Sequence, residues 1–143
     1  MGDDCVACFC AGSSGCFTSA GCTWSGGSQY CGPFHISRPY WIDAGSPVRE
    51  GGNPQSPNPF EECTTDYSCA TRTIRSYMER FKQDCNGDGV IDCLDFALIH
   101  NQGGYGCRVP NPDSIPLYGT VRECMYPPID ARMQPRRTVI KKP

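Results

Sequence analysis

Hard oxygen donors recur at alternate positions in one short stretch, Asp84-Cys85-Asn86-Gly87-Asp88-Gly89-Val90-Ile91-Asp92-Cys93-Leu94-Asp95. Asp84, Asn86 and Asp88 fall at positions 1, 3 and 5 of a twelve-position calcium loop, with Gly89 at its sharp turn, the Val90 carbonyl at position 7 and Asp95 at position 12. A curved loop with these donors can surround Ca²⁺. The ion would be structural and not a sensor's, because no second loop pairs with it. A plainer alternative stays open, an acidic turn between two helices stapled by disulfides. Cys85 and Cys93 lie inside the stretch, and Asp95 is shorter than the usual bidentate glutamate. The expectation is therefore no required cofactor, with a structural Ca²⁺ on Asp84, Asn86, Asp88, Val90 and Asp95 as the one candidate.

Cysteine is the other residue type that carries chemistry, 12 of 143 residues and an even number. Such density points to a disulfide framework formed in an oxidising compartment, which supplies stability that a small core lacks. Zinc is the competing use, since Cys5-Val6-Ala7-Cys8 has ligand spacing. No second pair of that kind follows, and His35 and His100 stand away from finger spacing. The cysteine content favours an extracellular, secreted protein. An intracellular assembly protein is the alternative, because Met1-Gly2-Asp3-Asp4 opens without a charged-then-apolar leader. Val6 stands where a myristoylation signal needs Ser or Thr, which argues against a lipid anchor.

The elements that must hold these groups are partly legible. Residues 22–31 read as a hairpin, with Gly26-Gly27 turning between Thr23-Trp24 and Gln29-Tyr30. Phe34, Ile36 and Tyr40-Trp41 continue as a partly buried strand-like stretch, and residues 48–59 form a Gly/Pro/Asn/Ser-rich surface loop. A helix starts at Asp66-Tyr67-Ser68 and buries Ala70, Ile74, Tyr77, Met78 and Phe81 on one face. A second runs over 92–101 with Leu94, Ala97 and Leu98 inward, and Gly103-Gly104 stops it. Charge divides the chain after Cys107, with net −6 before it and +4 beyond. Residues 108–143 carry seven prolines and no apolar period, which reads as an extended, Pro-rich basic tail. Its end, Arg136-Arg137-Thr138-Val139-Ile140-Lys141-Lys142, could meet an acidic protein surface, and Cys124 hints that the arm is pinned back. Apolar runs are far below the roughly 20 residues of a membrane helix, so no membrane span is expected; with a net charge of −2, neither is a nucleic-acid partner.

The cysteine-centred motifs also carry a resemblance. Cys5-x-x-Cys8-x-Cys10, Ser14-Gly15-Cys16, Gly21-Cys22, Cys31-Gly32-Pro33-Phe34-His35-Ile36, Pro39-Tyr40-Trp41-Ile42-Asp43, and Ile99-His100-Asn101 with Gly106-Cys107 together resemble the invertebrate-type, destabilase-like lysozymes over residues 5–107. The resemblance implies an α+β fold, a small disulfide-rich lysozyme-like domain over 1–107 with a hairpin lobe and a helix-loop-helix lobe, followed by the arm. Ala44 stands where the family commonly has a cysteine, so one implied disulfide is absent or rewired, with Cys124 as its candidate.

Family members cleave the sugar backbone of peptidoglycan with two carboxyl groups, one a protonated acid and the other a group that attacks or stabilises the sugar cation. The implied acid position holds Ser13, the implied aspartate position holds Ser25, and residues 5–42 contain no Asp or Glu. Hydroxyls cannot replace tuned carboxyls. Asp3, Asp4 and Asp43 are the nearest substitutes in sequence. An isopeptidase activity credited to some members needs a lysine where Ser37 stands; Arg38 stays charged and cannot serve as its base, and a Ser/His pair using His35 or His100 is the remaining variant. A cleft could survive, with Trp24 and Tyr30 as flat faces for sugar rings and His100 and Asn101 as hydrogen-bonding groups, while Tyr40 and Trp41 fit core packing better. The expected function is a catalytically inactive lysozyme-like protein that binds peptidoglycan-type glycan. The alternatives are a structural or assembly protein docking a partner through 108–143, or an active glycosidase using other acids.

Overall fold

The computed structural model describes residues 1–128. The chain opens with α1 (Asp3–Ser14), then forms β1 (Cys22–Ser25), β2 (Ser28–Cys31) and β3 (Ile36–Ser37), an antiparallel sheet in sequence order. Five helices follow, α2 (Arg38–Asp43), α3 (Pro59–Thr64), α4 (Tyr67–Phe81), α5 (Cys93–Gln102) and α6 (Pro116–Met125), with a 3₁₀ turn at Pro112–Ser114. This is the expected α+β architecture, a hairpin lobe beside a helical lobe.

Local chemistry sets most boundaries. The Asp66 side chain accepts the Cys69 N–H at 2.8 Å and starts α4, whose inner face buries Ala70, Ile74, Tyr77, Met78 and Phe81. Asp92 caps α5 by accepting the Leu94 N–H, while Asp95 reaches back to the Asp92 N–H to complete a capping box. The hairpin pairs Thr23 with Tyr30 and Trp24 with Gln29, and the Cys22–Cys31 disulfide closes its base. It seats on the helical lobe at Gly32, where a Cβ would lie 1.7 Å from the Thr64 carbonyl oxygen and φ is +80°. No other residue fits there.

All twelve cysteines are paired, as Cys5–Cys93, Cys8–Cys124, Cys10–Cys16, Cys22–Cys31, Cys63–Cys69 and Cys85–Cys107. The zinc alternative is thereby overturned, because Cys5 and Cys8 leave α1 toward two different partners. Among the described residues no helix is long and apolar enough to cross a membrane.

Two expectations need correction, and one helix has no counterpart among them. Residues 34–41 form only the two-residue β3 before turning into α2, because Ser37 caps the Tyr40 N–H and Pro39 fits the first helical turn. The N-terminal cysteine cluster is a helix, with Cys5, Val6, Cys8, Phe9 and Cys10 buried. The tail is not an extended arm from residue 108. Pro116 opens α6, which buries Leu117, Tyr118 and Val121 against the core and is tied to α1 by Cys8–Cys124. The two helices meet at Gly12, whose Cβ position would lie 2.7 Å from Leu117 Cδ1. The folded body therefore reaches residue 125 and not 107. The basic stretch 136–142 lies outside the described residues.

Candidate functional site

A cleft of about 460 Å³ opens between the hairpin and the helices. The end of α1 gives it Gly12 and Ser13, the hairpin gives Thr23, Ser25 and Tyr30, and the turn before β3 gives Phe34 and His35. α5 adds His100 and Asn101, and α6 closes one side with Pro116 and Leu117. The structure thus brings together Ser13, Ser25, Tyr30, His35, His100 and Asn101, all singled out from the sequence, and among the described residues no Asp or Glu lines the cleft.

The substitute acids lie elsewhere. Asp3 pairs with Arg75 at 2.6 Å, and Asp3 and Asp4 flank a separate depression beside Asp92 and Tyr126. Asp43 ends α2, where Arg80 donates to its carbonyl at 2.9 Å.

Trp24 is not in the cleft. Successive side chains on a strand point to opposite faces, and Thr23 and Ser25 face the cleft, so Trp24 faces away and is 73% exposed. Tyr40 and Trp41 are core. Tyr40 stacks on Tyr77 with ring centroids 3.8 Å apart, and the Trp41 indole N–H donates to the Pro47 carbonyl at 2.8 Å.

His100 presents its ring to the cleft but not its nitrogens. Nε2 lies 2.9 Å from the Phe34 carbonyl oxygen and must donate to it, so Nδ1 accepts the Tyr40 hydroxyl, also at 2.9 Å. Burial pushes its pKa down to about 4, with the nearby His35 lowering it further and the Phe34 bond opposing the shift. The ring is a neutral structural strut, which removes it as a hydrogen-bonding group for a glycan and as a base for a serine. No hydrogen bond joins Ser13 or Ser25 to a histidine among the described residues, and Ser37 is occupied in capping α2.

The burial of this ring sets a pH dependence. Below pH 6.5 an unfolded His100 takes up a proton that the folded one refuses until about pH 4. Its contribution is complete above 6.5 and is lost as pH falls through that window, by up to about 1.4 kcal/mol per unit. Urea midpoints measured from pH 7 to 4 should fall less steeply in His100→Gln than in the native protein; equal slopes would assign the loss to another group.

Away from the cleft, Asp84, Asp88 and Asp95 each offer a carboxylate oxygen within 4.8 Å of the others, as ligands around one cation would. These groups also brace the loop themselves. Asp95 is fully buried and accepts three backbone N–H bonds, from Cys85 at 2.7 Å, Asn86 at 3.2 Å and Asp92 at 2.9 Å. Asp84 accepts from Gly87 and Gly89, and the side-chain oxygens of Asn86 and Asp88 accept from Asp88 and Val90. Val90 itself is exposed, and Cys85 and Cys93 staple the loop to Cys107 and Cys5.

Four lining residues escaped sequence reasoning. Thr23 was recoverable from strand alternation once Ser25 was placed; Gly12, Pro116 and Leu117 depend on the docking of α6, for which Cys124 was the only signal.

Comparison with known proteins converges on one group. A family model described as Destabilase matches residues 2–124. Invertebrate-type lysozyme 3 of Caenorhabditis elegans is 37% identical over 105 residues, 73% of this chain and 74% of its own length. A lysozyme of Ostrea edulis is 36% identical over 113 residues, 78% of this chain and 73% of its own. Among solved structures, Tapes japonica lysozyme superposes with a TM-score of 0.67 at 28% identity, covering 85% of this chain and 89% of that one. An inhibitor-bound lysozyme from Meretrix lusoria gives 0.68 at 28% identity, covering 89% and 93%. The family match runs through α6 as well as the cysteine-rich front of the molecule, and on it the chain belongs to the Destabilase family of invertebrate-type lysozymes.

Proposed function

We propose that this family member binds a peptidoglycan-type glycan in its cleft without hydrolysing it. One observation carries the reading: Ser13 and Ser25 line the same cleft, and among the described residues no carboxyl group accompanies them. Glycoside cleavage needs a proton delivered to the leaving oxygen and negative charge opposite the forming sugar cation. A serine hydroxyl does neither near neutral pH. Tyr30, half-buried in the cleft wall, and the exposed amide of Asn101 keep the mixture of flat surface and polar groups that sugar sites use. Six disulfides suit an oxidising, extracellular setting.

Insoluble peptidoglycan provides the test. The native protein should sediment with the wall and release no reducing ends above background. Release of reducing ends would return the molecule to the working glycosidases. Absence of both binding and release would leave the assembly reading, with the 129–143 stretch as the part to examine.

The acidic loop is proposed to stand without an ion, because Asp95 already answers three N–H donors. The melting temperature in millimolar Ca²⁺ should match that in chelator to within about 2 °C. A rise of about 5 °C or more would correspond to more than 1 kcal/mol of linked binding and would make the loop a cation site.

A further inference from the structure

The outward face of the hairpin carries a second arrangement suited to a sugar, on the side away from the cleft. Trp24 projects there from β1, its indole largely in water. A single exposed aromatic needs no explanation, but this one has neighbours. Gln29 is its direct cross-strand partner and so shares its face. The Gln29 amide is held in turn, with Nε2 donating to Glu61 at 3.2 Å. That bond leaves the Gln29 carbonyl oxygen, its second amide hydrogen and one Glu61 oxygen for a ligand.

The platform is rigid. Two four-residue strands would be marginal alone, yet the Cys22–Cys31 bridge and the pairing of β2 with β3 hold them. A ligand stacking on Trp24 would order little that is not already ordered. Glu61 discourages an acidic sugar, whereas the hydroxyls of a neutral pyranose suit both the carboxylate and the amide.

We propose that Trp24, Gln29 and Glu61 form an accessory subsite that stacks one neutral pyranose ring of the glycan whose other part lies in the cleft. The inference rests on the cleft reading above for its ligand. The two sites are the two faces of one thin hairpin, with Thr23, Ser25 and Tyr30 on one side and Trp24 and Gln29 on the other. A strand leaving the cleft around the Gly26-Gly27 turn would arrive at Trp24.

Four variants, Trp24→Ala, Trp24→Tyr, Gln29→Ala and the cleft-filling Thr23→Arg, separate the two sites in sedimentation with insoluble peptidoglycan. Near-UV circular dichroism verifies that each is folded. Trp24→Ala should weaken binding about tenfold, Gln29→Ala less, and Trp24→Tyr should recover part of the loss. Soluble N-acetylglucosamine oligomers should shift the Trp24 emission and protect it from acrylamide, against a steady background from the buried Trp41. If Thr23→Arg abolishes binding and folded Trp24→Ala binds as the native protein does, the subsite is wrong and the cleft reading stands. If Thr23→Arg binds normally while Trp24→Ala does not, the subsite stands and the cleft reading falls. A native protein that binds neither wall nor oligomer removes both.

Discussion

Reducing-end release from bacterial cell walls is expected to rise at least about 100-fold over the native protein when Ser13→Glu and Ser25→Asp are introduced together. Each position would tune its new carboxyl differently. Ser13 is the second-last residue of α1, half-buried in a cleft walled by Phe34, Pro116 and Leu117. Partial desolvation and the negative end of a helix dipole both disfavour ionisation, so a glutamic acid there should keep its proton and serve as the acid. Ser25 is exposed on the last position of β1, where an aspartate would stay ionised. The single variants should remain near background, since each supplies half of a pair that acts as a unit. The measurement is reducing-sugar release beside turbidity loss. A folded, wall-binding double variant no more active than the native protein would mean that the cleft lacks more than its two carboxyls.

The largest stability effect short of unfolding is expected from Cys8→Ala/Cys124→Ala. The bridged residues are 116 apart in sequence, but Cys5–Cys93 and Cys85–Cys107 shorten the loop it closes. An effective loop of roughly 30 residues corresponds to about 3.5 kcal/mol of chain entropy, and a domain of this size should melt about 10 °C lower. The same change should reduce wall binding. With α6 no longer tied to α1, Pro116 and Leu117 are less firmly held as a wall of the cleft. Calorimetry and sedimentation together read the two effects. Unchanged melting would show that the Val121, Leu117 and Tyr118 contacts alone hold α6.

How far the sequence could be read follows from how each element announces itself. The hairpin was legible because Gly26-Gly27 and the flanking strands are local signals, α4 because it has a capping aspartate and a clear apolar face, and α5 because Asp92 caps its start and Gly103 follows its end. α1 was hidden by its cysteines. Read as cross-links, they conceal that Cys5, Val6, Cys8 and Phe9 also form a buried helical stripe, cysteine being a small hydrophobe in its own right. α6 was hidden by proline, since Pro116 opens the helix and breaks nothing. The serine positions were legible through the family motifs, and the structure does place them in one cleft. Trp24 falls outside the cleft because strand alternation, and not aromatic character, decides which face a β1 residue takes. His100 lines the cleft, but only its partners, Tyr40 and the Phe34 carbonyl, reveal that it has no hydrogen bond to offer.

The contact between α1 and α6 also bears on the biogenesis of the molecule. Ser13 and Leu117 face one cleft from opposite ends of the chain, and the bond securing them uses the last cysteine. During synthesis the hairpin and α5 can form while α6, the wall that closes the cleft beside them, does not yet exist. Contacts this distant in sequence are made late. Ligand-binding competence should therefore be the final property acquired in oxidative maturation, appearing only after Cys124 has emerged and found Cys8 in preference to nearer thiols.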